Sequence, residues 1–289
     1  MTLSTLRLFR LVVLGSTLGG GRLTLAAQSP AHVTMERAGY LAWLKHAANS
    51  PLFAVSQRSL GSGLRLGPPD ADIPLNGIAE HRLVLDGTTV VLQGPTDTSP
   101  VSHSRSFQLG NYTLYLTGSP SGPVVTVFEP TSGRQPPPGY YPYHPSLVFI
   151  GPMLPPEQPG KVRVLGADGI EVEGTEAGSV LVPLGGKTRL RVLRIPLGGG
   201  EESELEIFFR DSSNGDGSYP AGRFVSLVPA GDRNFRLDFN MARNPFCAYS
   251  SAYPCPVPWK GNTIAEPIRA GERFSGGGLE AAPAEVKPE

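Results

Sequence analysis

From residue 55 onward the chain is a succession of short β-branched or aromatic segments, each closed within a few positions by Gly, Pro or Asp. Residues 64–67, 82–85, 89–92, 112–116 and 124–128 are the first of these, and Asp86-Gly87 between HRLVL and TTVVL is a hairpin signal. Short strands at spacings of roughly 8–12 residues build a sandwich or a barrel. The same punctuation excludes a helical bundle, because the 36 Gly and 30 Pro among 289 residues both break helices. With 39 % hydrophobic residues the chain can still fill a core, so the expected fold class is mainly β.

One helix interrupts this pattern. In residues 33–48 (VTMERAGYLAWLKHAA), Tyr40, Leu41, Trp43, Leu44 and Ala47 fall near one face, and Asn49-Ser50-Pro51 ends the run. The stripe predicts a helical lid packed on a sheet, so residues 33–130 read as a helix plus a first β-sandwich. The Pro-rich stretch 131–145 (TSGRQPPPGYYPYHP) is stiff and extended, marking an internal boundary. Strand-like segments resume at 146–150, 161–165, 170–172, 179–184, 188–195, 205–209, 224–227 and 235–239. A second antiparallel β unit is therefore expected over 146–274, followed by a flexible tail over 275–289.

Residues 1–27 have the order of a secretory signal peptide: Arg7 and Arg10, then the apolar run from Leu11 to Leu14, then Leu25-Ala26-Ala27. The expected location is extracytoplasmic, either periplasmic or secreted. No later window of about 18 uninterrupted apolar residues exists, so no transmembrane segment is expected in the mature chain. Lys plus Arg equals Asp plus Glu at 25 each, with no basic run, which disfavours nucleic acid as a partner. Cys247 and Cys255 are the only cysteines. In an oxidising compartment their pairing as a disulfide is the simplest reading; a zinc half-site and reactive thiols are the rivals. The five His (32, 46, 81, 103 and 144) are scattered and none is near the pair, so no metal is expected.

Familiar catalytic motifs are absent. There is no mononucleotide loop and no glycine fingerprint between a strand and a helix, and GSPSG at 118–122 has Pro120 where a nucleophilic Ser would stand. The loop DSSNGDG at 211–217 resembles a calcium loop, but its twelfth position is Arg223, a cation where a carboxylate is required. A polar hairpin loop is the better reading, and no cofactor is expected.

Residues 64–94 resemble the core of forkhead-associated domains, small β-sandwiches, through Gly67, Asp72, Ile73 and His81. Pro68 and Ile78 occupy the positions where those domains read phosphate, so the resemblance implies the scaffold and not the ligand.

Near the C-terminus, FFRDSSNGDGSYPAGRFV (208–225), LDFNMARNPFCAYSSAYPCPVPWKGNTI (237–264) and IRAGER (268–273) resemble a bacterial and archaeal family known as domain of unknown function 1684. Its pattern, Asp-Phe-Asn-x-Ala-x-Asn-Pro-x-Cys with a second Cys, a downstream Asn and Ala-Gly-Glu, matches Asp211, Tyr219, Arg223, Asp238, Asn240, Asn244, Cys247, Cys255, Asn262 and Glu272 among others. Gly217-Ser218, Arg243 and Trp259-Lys260-Gly261 depart from it. The resemblance implies no activity.

The alternation Phe235-x-Leu237-x-Phe239 puts Asp238 and Asn240 on one face, where Arg223 from a neighbouring strand is expected to bind Asp238 bidentately. Such a cluster can be architectural, since Asn and Asp hold turns and a buried Arg–Asp pair needs no ligand. As a site, Arg223 would bind an anion, Asn240 and Asn244 would orient polar groups, and Tyr219 or Tyr249 would stack. The ligand-binding candidates are thus Asp211, Tyr219, Arg223, Asp238, Asn240, Asn244, Tyr249 and Asn262. The functional expectation is an exported binding or structural module of the cell envelope, its partner a small ligand or an envelope protein. The alternative is an extracytoplasmic enzyme, a hydrolase for example, using Arg223, Asp238, Asn240 and Asn244; no catalytic residue is assigned, because no His lies near Asp238 or Cys247 in sequence.

Overall fold

In the computed structural model the described residues are 28–276 apart from 103–104, 120–121, 131–135, 158, 197–201, 258 and 260. The leader, part of the Pro-rich stretch and most of the tail lie outside them. The fold is mainly β, with one N-terminal helix, α1 (Ala31–His46).

The first nine strands are β1 (Ala54–Ser59), β2 (Leu64–Gly67), β3 (Ile73–Pro74), β4 (His81–Asp86), β5 (Thr89–Gln93), β6 (Thr98–Val101), β7 (Ser106–Leu109), β8 (Tyr112–Ser119) and β9 (Gly122–Phe128). They form a four-stranded sheet in the order β1-β9-β8-β7 and a five-stranded sheet in the order β3-β2-β4-β5-β6. Leu66, Ile73, Leu83 and Val90 of one sheet share a core with Leu114, Leu116, Val125 and Val127 of the other, which makes this half a sandwich. Asp86-Gly87 turns the β4–β5 hairpin, with Gly87 at φ 61°. Strands β1, β6 and β7 escape a reading of the sequence because they are polar along much of their length.

The next eight strands are β10 (Val148–Pro152), β11 (Lys161–Leu165), β12 (Glu171–Val182), β13 (Thr188–Pro196), β14 (Ser203–Asp211), β15 (Arg223–Gly231), β16 (Asn234–Asp238) and β17 (Thr263–Ile264). Their sheet runs β10-β16-β15-β14-β13-β12-β11, and β17 pairs in parallel with β14. It is covered on both faces over its centre: Ile207 and Phe209 enter one core with Val225 and Leu227, while Phe208 enters another with Phe224 and Trp259. The unbroken apolar run at 207–209 follows from that double burial. The segments 170–172 and 179–184 of the sequence reading are one strand, β12, interrupted by a bulge between Glu176 and Gly178. Gly178 is required there: its φ is 154°, and a Cβ would stand 2.2 Å from the Leu154 carbonyl oxygen.

Helix α1 packs elsewhere than expected. Its Leu44, with Tyr40, Leu41 and Trp43, clusters with Leu52, Phe53, Phe246 and Tyr249, so it seats on the segment around Cys247 and on the turn after the helix rather than on the face of a sheet. Among the described residues no helix is long and apolar enough to cross a membrane.

Candidate functional site

The polar residues singled out in the sequence are buried, and most of them hold backbone groups. Arg223, at the start of β15, is 0 % exposed. One of its terminal nitrogens donates to Asp211 Oδ2 (2.9 Å) and the Ile268 carbonyl (2.6 Å), the other to the carbonyls of Ala270 (2.6 Å) and Glu272 (3.3 Å). The second oxygen of Asp211 accepts the N–H groups of Ser213 (2.8 Å) and Ile268 (3.0 Å) and the Ser213 hydroxyl. This knot ties the turn after β14 to the C-terminal segment.

The carboxylate partner of Arg223 is therefore Asp211 and not Asp238, which corrects the expected pairing. Strand register explains the difference. Arg223 stands opposite Phe209 of β14, whereas the neighbour of Asp238, Leu237, stands opposite Leu227, four residues further along β15. Asp238 instead accepts from Arg236 (2.6 Å), and from the backbone and side-chain amides of Asn240 (3.0 and 2.9 Å).

The asparagines act as clamps. Asn240 accepts the His144 N–H (2.7 Å) and donates to the His144 carbonyl (3.0 Å), holding the segment that leads into β10. Asn262 does the same for Arg191 (2.7 and 3.0 Å) and also donates to the Phe208 carbonyl (3.0 Å). Asn244 donates its side-chain amide to the Arg273 carbonyl (3.3 Å). Cys247 and Cys255 form a disulfide with Cα atoms 5.5 Å apart, and the Tyr219 hydroxyl lies 3.3 Å from each sulfur. Tyr249 donates to Glu272 Oε2 at 2.5 Å.

None of these residues lines the cleft that α1 makes with the C-terminal unit. That cleft, about 380 Å³, is bounded by Glu36, Arg37, Gly39 and Tyr40 of the helix and by Tyr140, Met241 and Arg243. Its size suits a small ligand. Two other clefts lie around Trp259, about 430 Å³ with Arg163, Glu171 and Arg191 in its wall, and beside Val101, about 510 Å³ with threonine, serine and aliphatic walls. The α1 cleft sets two arginines beside two tyrosine rings, whereas the arginines beside Trp259 are paired with acids, Arg163 with Glu171 at 3.6 Å and Arg191 with Glu176 at 2.6 Å.

Its groups are well braced. The Arg37 guanidinium lies 4.5 Å over the Tyr140 ring and donates to the carbonyls of Asn240 (2.7 Å) and Tyr141 (3.3 Å). Tyr40 stacks on Trp43 with ring centres 5.6 Å apart. Arg243 keeps 38 % of its side chain exposed and makes one contact, at 3.4 Å, with Glu206.

Behind the lining lie two buried acids. Glu272, 0 % exposed, accepts from the Asn244 N–H (2.7 Å), Tyr249 (2.5 Å) and Tyr140 (3.4 Å). Burial pushes its carboxyl up to about 7 despite those donors. Burial, reinforced by neighbouring Glu204, pushes Glu206 up to about 8 against the pull of Arg243. Burial likewise raises the phenols of Tyr40, Tyr140 and Tyr249, so they stay neutral donors. Of the cleft and its support, the sequence motif flagged only Glu272, as part of Ala-Gly-Glu, without making it a site candidate. Arg37, Tyr40 and Tyr140 carry no local signal, because they come from segments a hundred residues apart.

An uncharacterised protein of Haloarcula marismortui, solved in solution by NMR, is 30 % identical over 47 % of this chain and 75 % of its own, with a TM-score of 0.40. No curated protein matches the chain. The family described as "Protein of unknown function (DUF1684)" matches residues 139–273, a span that carries Tyr140, Arg223, the disulfide and Glu272. The chain belongs to that family.

Proposed function

We propose that the protein is an exported ligand-binding module of the cell envelope whose site is the α1 cleft. The observation that carries this reading is the convergence of Arg37, Tyr40, Tyr140 and Arg243 on one cleft of about 380 Å³. A small molecule there would meet charge and π surface at once, the usual make-up of a specific pocket. The leader pattern of residues 1–27 and the Cys247–Cys255 disulfide support export.

The enzymatic alternative has less support. Arg223, Asp238, Asn240 and Asn244 are buried and direct their hydrogen bonds to backbone groups and to neighbouring side chains such as Asp211 and Arg236. Their role is to fix the segments that form the cleft's far wall.

Two experiments test the reading. N-terminal sequencing of protein recovered from the producing cells should give a mature start after Ala27; a retained leader in a cytoplasmic fraction would contradict export. Ligand-observed NMR with a fragment library of mixed charge should find binders that Gly39→Leu abolishes. Gly39 is exposed on α1, and nothing lies within 4 Å of where its Cβ would stand, so Leu there fills the cleft without straining the helix. Binders indifferent to Gly39→Leu would place the site elsewhere.

A further inference from the structure

Of the two guanidinium groups of the cleft, Arg37 differs from the ion-paired arginines in what neutralises it. Arg65, Arg189, Arg223 and Arg269 each have a carboxylate within 3.2 Å. Arg37 has none within 4 Å among the described residues: its terminal nitrogens donate to two carbonyl oxygens, which orient the group without cancelling its charge. Arg243 is braced from behind by Glu206 at 3.4 Å and keeps an edge towards the cleft. Glu206 is itself buried beside Glu204 and near Asp168, surroundings that oppose a full negative charge. The remaining acid of the lining, Glu36, is exposed and makes no ion pair among the described residues. Between the cations the walls are apolar: the rings of Tyr40 and Tyr140, the Met241 side chain and the open space at Gly39.

We infer that the cleft takes an organic anion with a flat apolar body, its carboxylate or phosphate held between Arg37 and Arg243 and its body against Tyr40 and Tyr140. This rests on the α1 cleft being the site, as proposed above. A guanidinium already fixed by carbonyls loses little freedom on binding an anion, and its planar fork matches a carboxylate edge. Arg37 occupies one side of the Tyr140 ring, so the ligand's body lies against the Tyr40 side of the cleft.

The test titrates the full-length mature protein with benzoate, phenyl phosphate and benzamide, three probes of one ring that differ in charge. Either anion should bind at least about tenfold more tightly than benzamide, a gap of roughly 1.4 kcal/mol. Arg243→Met should remove most of that preference, the affinity for both anions falling towards that for benzamide. Should Arg243→Met fail to fold, the unmodified protein supplies the same reading, because anion affinity should fall between about 20 and 500 mM NaCl while benzamide affinity stays level. Preference for phenyl phosphate over benzoate would assign a phosphate monoester, and the reverse a carboxylate. Equal affinity for benzamide and benzoate, or salt-independent benzoate binding, would overturn the inference. If benzamide binds as tightly as benzoate and Gly39→Leu abolishes both, the cleft reading stands and the anion falls; if no probe responds to Gly39→Leu, both fall.

Discussion

Arg223 and Asp211 form an ion pair at 2.9 Å in which neither side chain exposes any surface. Together they hold the turn after β14 against Ile268 and Ala270. Removing one partner leaves a buried charge without compensation, at a cost of about 3–5 kcal/mol. Asp211→Ala is therefore expected to lower unfolding stability by that amount in urea titration. Arg223→Lys should lose nearly as much, because one ammonium cannot serve four acceptors in the guanidinium plane. A Lys variant of native stability would show that the knot is not needed.

The disulfide should matter to the helix as well as to its own loop. Cys247 and Cys255 flank Tyr249 and follow Phe246, the two residues on which α1 seats. Replacing both cysteines with Ser is expected to cost roughly 2–3 kcal/mol, the chain-entropy value for so short a loop. Amide exchange across residues 31–46 should speed up in the same variant. Unchanged exchange there would mean that the seat holds without the cross-link.

The buried acids set a pH dependence. Glu206 is raised to about 8 and Glu272 to about 7, both from the ordinary 4.5. The folded protein then holds protons that the unfolded chain has released, so stability is greatest below about pH 4.5 with respect to these groups. It is lost as the pH rises, through about 7 for Glu272 and about 8 for Glu206. Glu206→Gln should remove much of the decline between pH 5 and pH 9, an effect on the order of a few kcal/mol. A decline of the same size in the Gln variant would assign it to other groups.

Much of the fold is legible in the sequence because strand periodicity is local. The β4–β5 hairpin announces itself through Asp86-Gly87, and strands such as β11 and β13 stand close to where their β-branched runs place them. What escapes is whatever depends on register. Arg223 and Asp238 look like neighbours on adjacent strands, but the register of β15 and β16 sets them at different levels, and Asp211 fills the place instead. The cleft is less legible still. Tyr140 follows the Pro-rich stretch, Arg37 belongs to the helix and Arg243 looks like a departure from the family pattern, so only tertiary packing brings them together. The motif residues that stand out in sequence are the ones that build the frame.

The most direct measurement is amide hydrogen exchange on the full chain, with and without a fragment found by NMR screening. Protection on binding is expected in residues 36–41, 139–141 and 241–244, which carry the cleft, and Gly39→Leu should abolish it. Protection confined to residues 162–165 and 257–261, around the Trp259 groove, would contradict the α1 cleft as the ligand site.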